Sequence, residues 1–260
     1  MRFVLSPRTV VVVAALASGC GSKCPEVARC PEASPTANVA PAAVADPGAT
    51  QPSTAASTEQ VFSGIYEKAT WGTNTDGKGN SGTGSTIDST IVYTTYLQKF
   101  MKEHGIKSVV DAGCGDWEFS SAIDWTGIHY KGYDIVPSVI ANDTKKYGKP
   151  TIEFFVGNIL DPSLPAADLL VSKDVLQHLP NADVKAFLAQ LPKYKHVLLT
   201  NGTDWRTLTA ENTDIALGDY RPLDLTRPPF DVGGKKVLTY DDGKHTHQML
   251  HVAPASPPQP

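Results

Sequence analysis

The 260-residue chain sets 23 Lys and Arg against 27 Asp and Glu, a formal net charge of −4 at pH 7. That balance excludes the basic face on which a nucleic-acid partner depends, and the charges are mixed in sign along the chain. With 41% apolar residues, the composition is that of a globular protein of one or two domains.

The first residues read as a targeting segment. Arg2 and Arg8 precede an apolar run, Thr9 to Ala17, which is too short to span a bilayer. Ser18 and Gly19 then place small residues before Cys20. Leu16-Ala-Ser-Gly-Cys20 resembles the lipobox of bacterial lipoproteins, with Ala17 where leucine is usual. The resemblance implies a signal peptide over residues 1–19, a lipid on Cys20 and a membrane-anchored lipoprotein on the periplasmic side. The plainer readings are an ordinary cleaved signal, an uncleaved anchor, or a cytoplasmic protein. Cys24 and Cys30 form an even pair compatible with a small disulfide loop in an oxidising compartment, and two cysteines alone do not complete a zinc site. From Pro31 to about Gln60 the chain is Ala, Pro, Ser and Thr. Such a stretch buries too little surface to offset its conformational entropy, so residues 20–60 are expected to be a disordered tether.

A folded domain is expected over residues 61–255, before a tail of residues 256–260. Phe62, Ile65, Tyr66 and Ala69 fall at helical spacing. Trp71 opens a glycine-rich stretch to Ser85, either a lid or a surface loop, and Ser85 or Thr86 can cap the next helix. That helix carries a stripe of Ile87, Ile91, Tyr96 or Leu97, and Phe100 or Met101, and Gly105 stops it.

Ile106 to Val110 reads as a buried parallel strand. It runs into Asp111-Ala-Gly-Cys-Gly115, and Asp116 to Ile123 can begin a helix. Strand, glycine turn and helix together make a nucleotide-cradling crevice. A dinucleotide fingerprint would need a third glycine where Glu118 stands, and no Gly-Lys-Ser/Thr P-loop is present. An acid at the strand end before Gly-Cys-Gly resembles the first motif of the class I S-adenosylmethionine-dependent methyltransferases. The resemblance covers roughly residues 86 to 252. It implies an α/β fold: a doubly wound, mostly parallel, seven-stranded Rossmann-like sheet ending in an antiparallel hairpin. It also implies S-adenosyl-L-methionine as cofactor, with Asp111 facing its cationic methionine end and Gly113, Cys114 and Gly115 forming the turn beneath. The plain alternative is an ordinary strand-to-helix turn, and Cys114 reads as a small buried residue rather than a nucleophile.

Tyr130 to Ile135 is a second strand. Asp134 ends it about twenty residues past the glycine turn, where such folds place a carboxylate for the ribose hydroxyls, with Ile135 beside it. Pro137 opens a helix running to about Tyr147. Thr151 to Val156 is a third strand. At the junction that follows, the resemblance implies that Asn158 meets the adenine amine and Ile159 packs on the ring. Asp161, before Pro162, shapes a turn. Asp168 to Ser172 is a fourth strand, and Lys173, Asp174 and His178 leave its carboxyl end, where open α/β sheets bind ligands. Asp174 is a candidate base or a holder of the cofactor ammonium. Lys173 is a candidate partner for Asp174 or for an anion. His178 is a candidate base or a packed histidine bonded to backbone.

Asp183 to Leu191 reads as a helix ended by Pro192, and Lys195 to Thr200 as a fifth strand. Residues 203–232 are long and irregular, with Trp205, Arg206, Tyr220, Arg221, Arg227 and Phe230. They are expected to form a substrate-facing cover with a short helix around Asn212 to Leu217, or a proline-rich wrap over the core. Lys236 to Tyr240 and Gln248 to Val252 make a final hairpin. His245, His247 and His251 alternate onto one strand face. Alternation is what any strand shows, and no metal is expected there.

The expected activity is methyl transfer to an oxygen or nitrogen of a small-molecule or sugar acceptor. The alternative is a lipoprotein that keeps the fold and binds the cofactor, or a surface partner, without turnover. An export signal favours that alternative, because S-adenosylmethionine is made in the cytoplasm.

Overall fold

A computed structural model describes residues 56–73, 79–204 and 206–253. The expected leader over residues 1–19, Cys20, Cys24 and Cys30, nearly all of the expected tether, Trp205 and the expected tail lie outside the described residues.

Helix α1 spans Thr58–Glu67 and starts ahead of the expected Val61. Ser57 explains the early start. Its hydroxyl accepts the Gln60 N–H at 3.2 Å, and the Gln60 side chain accepts the Ser57 N–H at 2.8 Å. This reciprocal cap satisfies two donors that a helix start otherwise leaves unpaired. Phe62 and Tyr66 are buried, whereas Ala69 falls beyond the helix at φ 50°. Helix α2 spans Ile91–Glu103 and buries Tyr93, Leu97, Phe100 and Met101. Ile87 and Ile91, expected on the buried stripe, are 46% and 57% exposed. Ile91 stands two residues before Tyr93 in the same helix and so faces away from the buried stripe, and Ile87 precedes a separate 3-10 turn at Asp88–Thr90.

The strands are β1 (Ser108–Ala112), β2 (His129–Asp134), β3 (Ile152–Val156), β4 (Leu169–Lys173), β5 (His196–Gly202), β6 (Lys235–Asp241) and β7 (Thr246–Val252). They form one sheet in the order β3-β2-β1-β4-β5-β7-β6. The first five are parallel, and β7 runs antiparallel between β5 and β6. This is the doubly wound sheet with a terminal hairpin that the sequence predicts.

Side chains alternate faces along a strand, and here each face has its own apolar layer. Val109, Leu169, Val171, Leu198 and Met249 enter one core with α2. Their neighbours Val110, Leu170, Val197, Leu199 and Leu250 enter the other with α1 and α4, the latter spanning Asn181–Leu188. Burial on both faces is why these strands read as continuous apolar runs.

Helix α3 is Pro137–Tyr147, as expected. Two other expected helices are absent, and a third is present with shifted limits. No α-helix follows Gly115; Trp117 takes φ 55° and only a 3-10 turn forms, at Phe119–Ala122. Trp117 is instead buried against Trp125, Tyr130, Tyr147 and Phe154, and a continuous helix from Asp116 would not pass through that left-handed residue. Helix α4 begins at Asn181 because the Asp214 carboxylate accepts its N–H at 2.7 Å. It stops at Leu188, and Pro192 sits in a separate 3-10 turn. Residues 212–217 are not helical. The buried Asn212 amide donates to the carbonyls of Asp224 and Pro228 at 2.9 Å, while its oxygen accepts the Asp224 N–H. A side chain that bonds distant backbone in this way competes with local helix. Leu223 and Leu225 are buried beneath this segment, so most of it is a wrap over the core.

The alternating histidines separate along β7. His251 lies at the amino end of the parallel strands, 3.2 Å from His196 and near His104. His247 lies at the other end, with Asp174. Among the described residues no three His, Cys, Asp or Glu side chains converge on a metal position.

Candidate active site

The strand order reverses between β1 and β4. Loops leaving their carboxyl ends diverge to opposite faces there and open a crevice. One cavity fills it, and all eleven residues singled out from the sequence line it: Asp111, Gly113, Cys114, Gly115, Asp134, Ile135, Asn158, Ile159, Lys173, Asp174 and His178.

The floor is the turn after β1. Gly113 and Gly115 have φ of 87° and 57°, a region costly to residues with a Cβ. Space forbids a side chain as well. A Cβ on Gly113 would lie 2.4 Å from Val175, and one on Gly115 2.4 Å from the Ser81 hydroxyl. Cys114 is buried, and burial with nearby Asp134 and Asp111 pushes its thiol well above its ordinary value. It is a packing residue, not a thiolate.

The carboxyls have different settings. Asp111 is buried and accepts a hydrogen bond from the Tyr130 hydroxyl at 2.7 Å. Burial raises it to about 7, against the opposing effect of that bond and of Lys173. Asp134 accepts the N–H groups of Gly115 at 3.1 Å and Val136 at 3.0 Å. Burial outweighs these bonds and raises it too. Both acids therefore favour a cationic ligand, which stabilises the charged form that burial penalises. Asn158 turns its amide oxygen to the Leu160 N–H at 2.9 Å, and Ile135, Ile159 and Leu160 supply an apolar wall beside it.

Across the cavity stand α1 and the loop of residues 79–85. Ser81 is the fastener: its hydroxyl donates to Asp116 at 3.0 Å, accepts the Asp116 N–H at 2.9 Å and lies 2.8 Å from the Tyr66 hydroxyl. This part of the glycine-rich stretch is bound to the β1 turn, as a lid would be. Trp71 stacks toward His178 at 5.0 Å. Residues 74–78 lie outside the described residues.

Residues 110–195 match the family model described as a methyltransferase domain. Among solved structures, magnesium protoporphyrin IX methyltransferase (ChlM) from Synechocystis PCC 6803 with bound SAM superposes with a TM-score of 0.51 at 14% identity, over 77% of this chain and 98% of that one. Residues 110–195 are thus similar to a methyltransferase domain, and the sheet has the Rossmann-like methyltransferase fold. The methyltransferase domain of bacterial CtHen1 matches at 17% identity and TM-score 0.41, over 45% of this chain and 68% of that one. A putative sarcosine dimethylglycine methyltransferase from Galdieria sulphuraria matches at 14% identity and TM-score 0.38, over 43% and 46%. No curated protein matches the sequence significantly.

Within the cavity the two residues proposed for chemistry part company. Asp174 accepts from Lys173 Nζ at 2.5 Å and from His247 Nδ1 at 3.1 Å. Burial works against its charge, but the Lys173 ammonium and His247 outweigh it and hold the acid well below the usual carboxylate range. A carboxylate held so firmly as an anion is a poor proton acceptor, so the structure argues against Asp174 as the base. His178 Nδ1 lies 2.9 Å from the Asp219 carbonyl oxygen. That oxygen only accepts, so Nδ1 carries the proton and Nε2 presents a lone pair. Burial lowers the His178 pKa below its ordinary value, keeping the ring neutral at pH 7. The sequence offers this histidine either as a base or as a packed ring bonded to backbone; the backbone bond is present, and it leaves Nε2 open.

No local motif marks Tyr66, Ser81, Tyr130, Asp242 or His247 as site residues. Asp116 directly follows the second motif glycine, and that position was the one available signal.

Asp134→Ala is expected to weaken cofactor binding by about ten- to a hundredfold, the loss of hydrogen bonds to one charged group. Calorimetry with S-adenosylhomocysteine measures it, and thermal unfolding checks that the variant folds. Unchanged affinity would remove Asp134 from the cofactor site.

Proposed function

We propose that the chain is an enzyme that transfers the methyl group of S-adenosylmethionine to an oxygen or nitrogen of a small-molecule or sugar acceptor. The observation that carries this reading is one cavity that joins the Gly113–Gly115 turn and two cation-favouring acids to a histidine with an open Nε2. The residues suit the cofactor on this chain's own chemistry. The glycines leave room for close approach to the main chain, the apolar wall at Ile135 and Ile159 suits a purine, and Asp134 suits a diol. Bound there, S-adenosylmethionine supplies a methyl already activated by its sulfonium. The protein's part is alignment and proton removal: Asp134 takes the ribose hydroxyls, Asp111 faces the cationic end, and His178 accepts the proton of the attacking acceptor.

The cofactor half is testable without an acceptor. Asp111, raised to about 7, is partly protonated at neutral pH, and a cationic ligand requires it ionised. Affinity for S-adenosylmethionine should therefore rise as pH climbs toward 7, by at most about tenfold per unit, and level off above. Calorimetry in buffers of different ionisation enthalpy should record proton release near pH 6 that fades by pH 8. S-adenosylhomocysteine, which lacks the sulfonium charge, should show a weaker trend. Absence of binding would overturn the proposal. Release of S-adenosylhomocysteine with a panel of alcohols, phenols and amines tests transfer, and binding without release from any of them would favour the non-catalytic lipoprotein. Export rests on the sequence pattern from Arg2 to Cys20 and is likewise proposed; membrane fractionation with mass analysis of an acylated Cys20 tests it.

A further inference from the structure

Lys173 and Asp174 belong to a longer row of bonded charges. His247 lies on β7, paired with Gly202 of β5 and Tyr240 of β6. Its Nδ1 is 3.1 Å from Asp174 Oδ1, and its Nε2 is 3.0 Å from Asp242 Oδ2 in the turn between β6 and β7. Ionised carboxylates only accept, so both ring nitrogens donate and the ring is an imidazolium. Lys173, Asp174, His247 and Asp242 thus alternate in sign, with side chains at most 14% exposed. Alternation lets each charge compensate its neighbour's desolvation. Asp174 sits at φ 57°, a region that a non-glycine residue keeps only where its surroundings impose it. At the far end, Lys173 Nζ donates to the Gly84 carbonyl at 2.9 Å. The loop lies directly on the row: a Cβ on Gly84 would be 3.4 Å from Asp242 and 3.8 Å from Asp174.

We propose that His247 is a positioning residue for the methyl transfer. Bonded between Asp174 and Asp242, it fixes Asp174, which fixes Lys173, which holds residues 79–85 closed over the Asp111 end of the cavity. The purpose rests on the methyltransferase reading; the latch itself does not.

The test is amide hydrogen exchange of Ser81 and Ser85 in the full chain without cofactor. Their N–H groups bond to Asp116 and to the Gly82 carbonyl. His247→Gln and Asp242→Asn should each speed that exchange by about tenfold, with β1 amides unchanged. The groups facing the ring are Asp174, Asp242, Lys173, the stacked Tyr240 and, edge-on, His245. In the wild type, loop exchange corrected for its intrinsic pH dependence should step upward as alkali removes the imidazolium proton. His247→Gln should abolish the step and His245→Gln should keep it. Unchanged loop exchange in both row variants, or a step that survives His247→Gln, overturns the proposal. Should His247→Gln not fold, Asp242→Asn, which keeps the ring, decides by itself. Faster exchange in a protein that never binds S-adenosylmethionine would keep the latch and remove the methyltransferase reading; firm binding with unaltered exchange would do the reverse.

Discussion

His178→Gln should lower turnover by about 10²–10⁴-fold while cofactor affinity stays within about threefold. That loss corresponds to roughly 3–5 kcal/mol of barrier. Glutamine can still donate to the Asp219 carbonyl, so the wrap around residues 218–221 should hold. What disappears is the lone pair at Nε2. Because burial lowers the His178 pKa, the neutral ring persists below its ordinary range. Wild-type turnover should hold through neutral pH and fall only in acid, as the ring gains a proton and ceases to be a base. The variant should lack that acid limb. Asp174→Asn should behave differently. It removes the negative charge between Lys173 and His247, and its single amide oxygen can accept from only one of them, so cofactor affinity falls and the acid limb remains. A His178→Gln enzyme with wild-type turnover would take His178 out of the chemistry and leave it as a packed ring beside Trp71.

Asp143→Asn should stabilise the protein, by an amount that grows with pH. Asp143 sits on α3 with no exposed surface, and only the neighbouring Asn142 side chain and Lys146 oppose the loss of water at its carboxyl group. Burial, then Asp116 and Asp134, raise it to about 8. The sign follows from linkage. An acid whose folded pKa exceeds its unfolded value binds its proton more tightly in the folded state. Folding is therefore penalised above about pH 4, and increasingly so up to about pH 8. At pH 7 the penalty is on the order of 3–4 kcal/mol at most. Asparagine is neutral throughout and escapes it. The melting temperature of the variant should match wild type near pH 4 and exceed it by about 6–12 °C at pH 7. A constant difference across that range would show that Asp143 finds a partner in solution and ionises normally.

The sheet and the cofactor wall were legible along the chain because both depend on local pattern. Parallel strands buried on two faces are apolar runs, and β1 to β5 appear as such. The glycine turn is legible because Gly113 and Gly115 occupy backbone shapes and spaces that other residues resist. Asp111, Asp134 and Asp174 are legible because strand ends in this topology face the crevice. Helix limits were less legible. The Asp214 carboxylate that starts α4 and the aromatic neighbours that hold Trp117 left-handed are remote in sequence. What only the tertiary structure decided is the division of labour among the polar residues. Asp174 and His247 are 73 residues apart, and no local pattern pairs them. Their pairing turns Asp174 from a candidate base into a fixed anion. The Asp219 carbonyl, 41 residues from His178, selects the tautomer that leaves Nε2 open. Burial and long-range hydrogen bonds set the protonation of a side chain, and both exist only once the chain has folded.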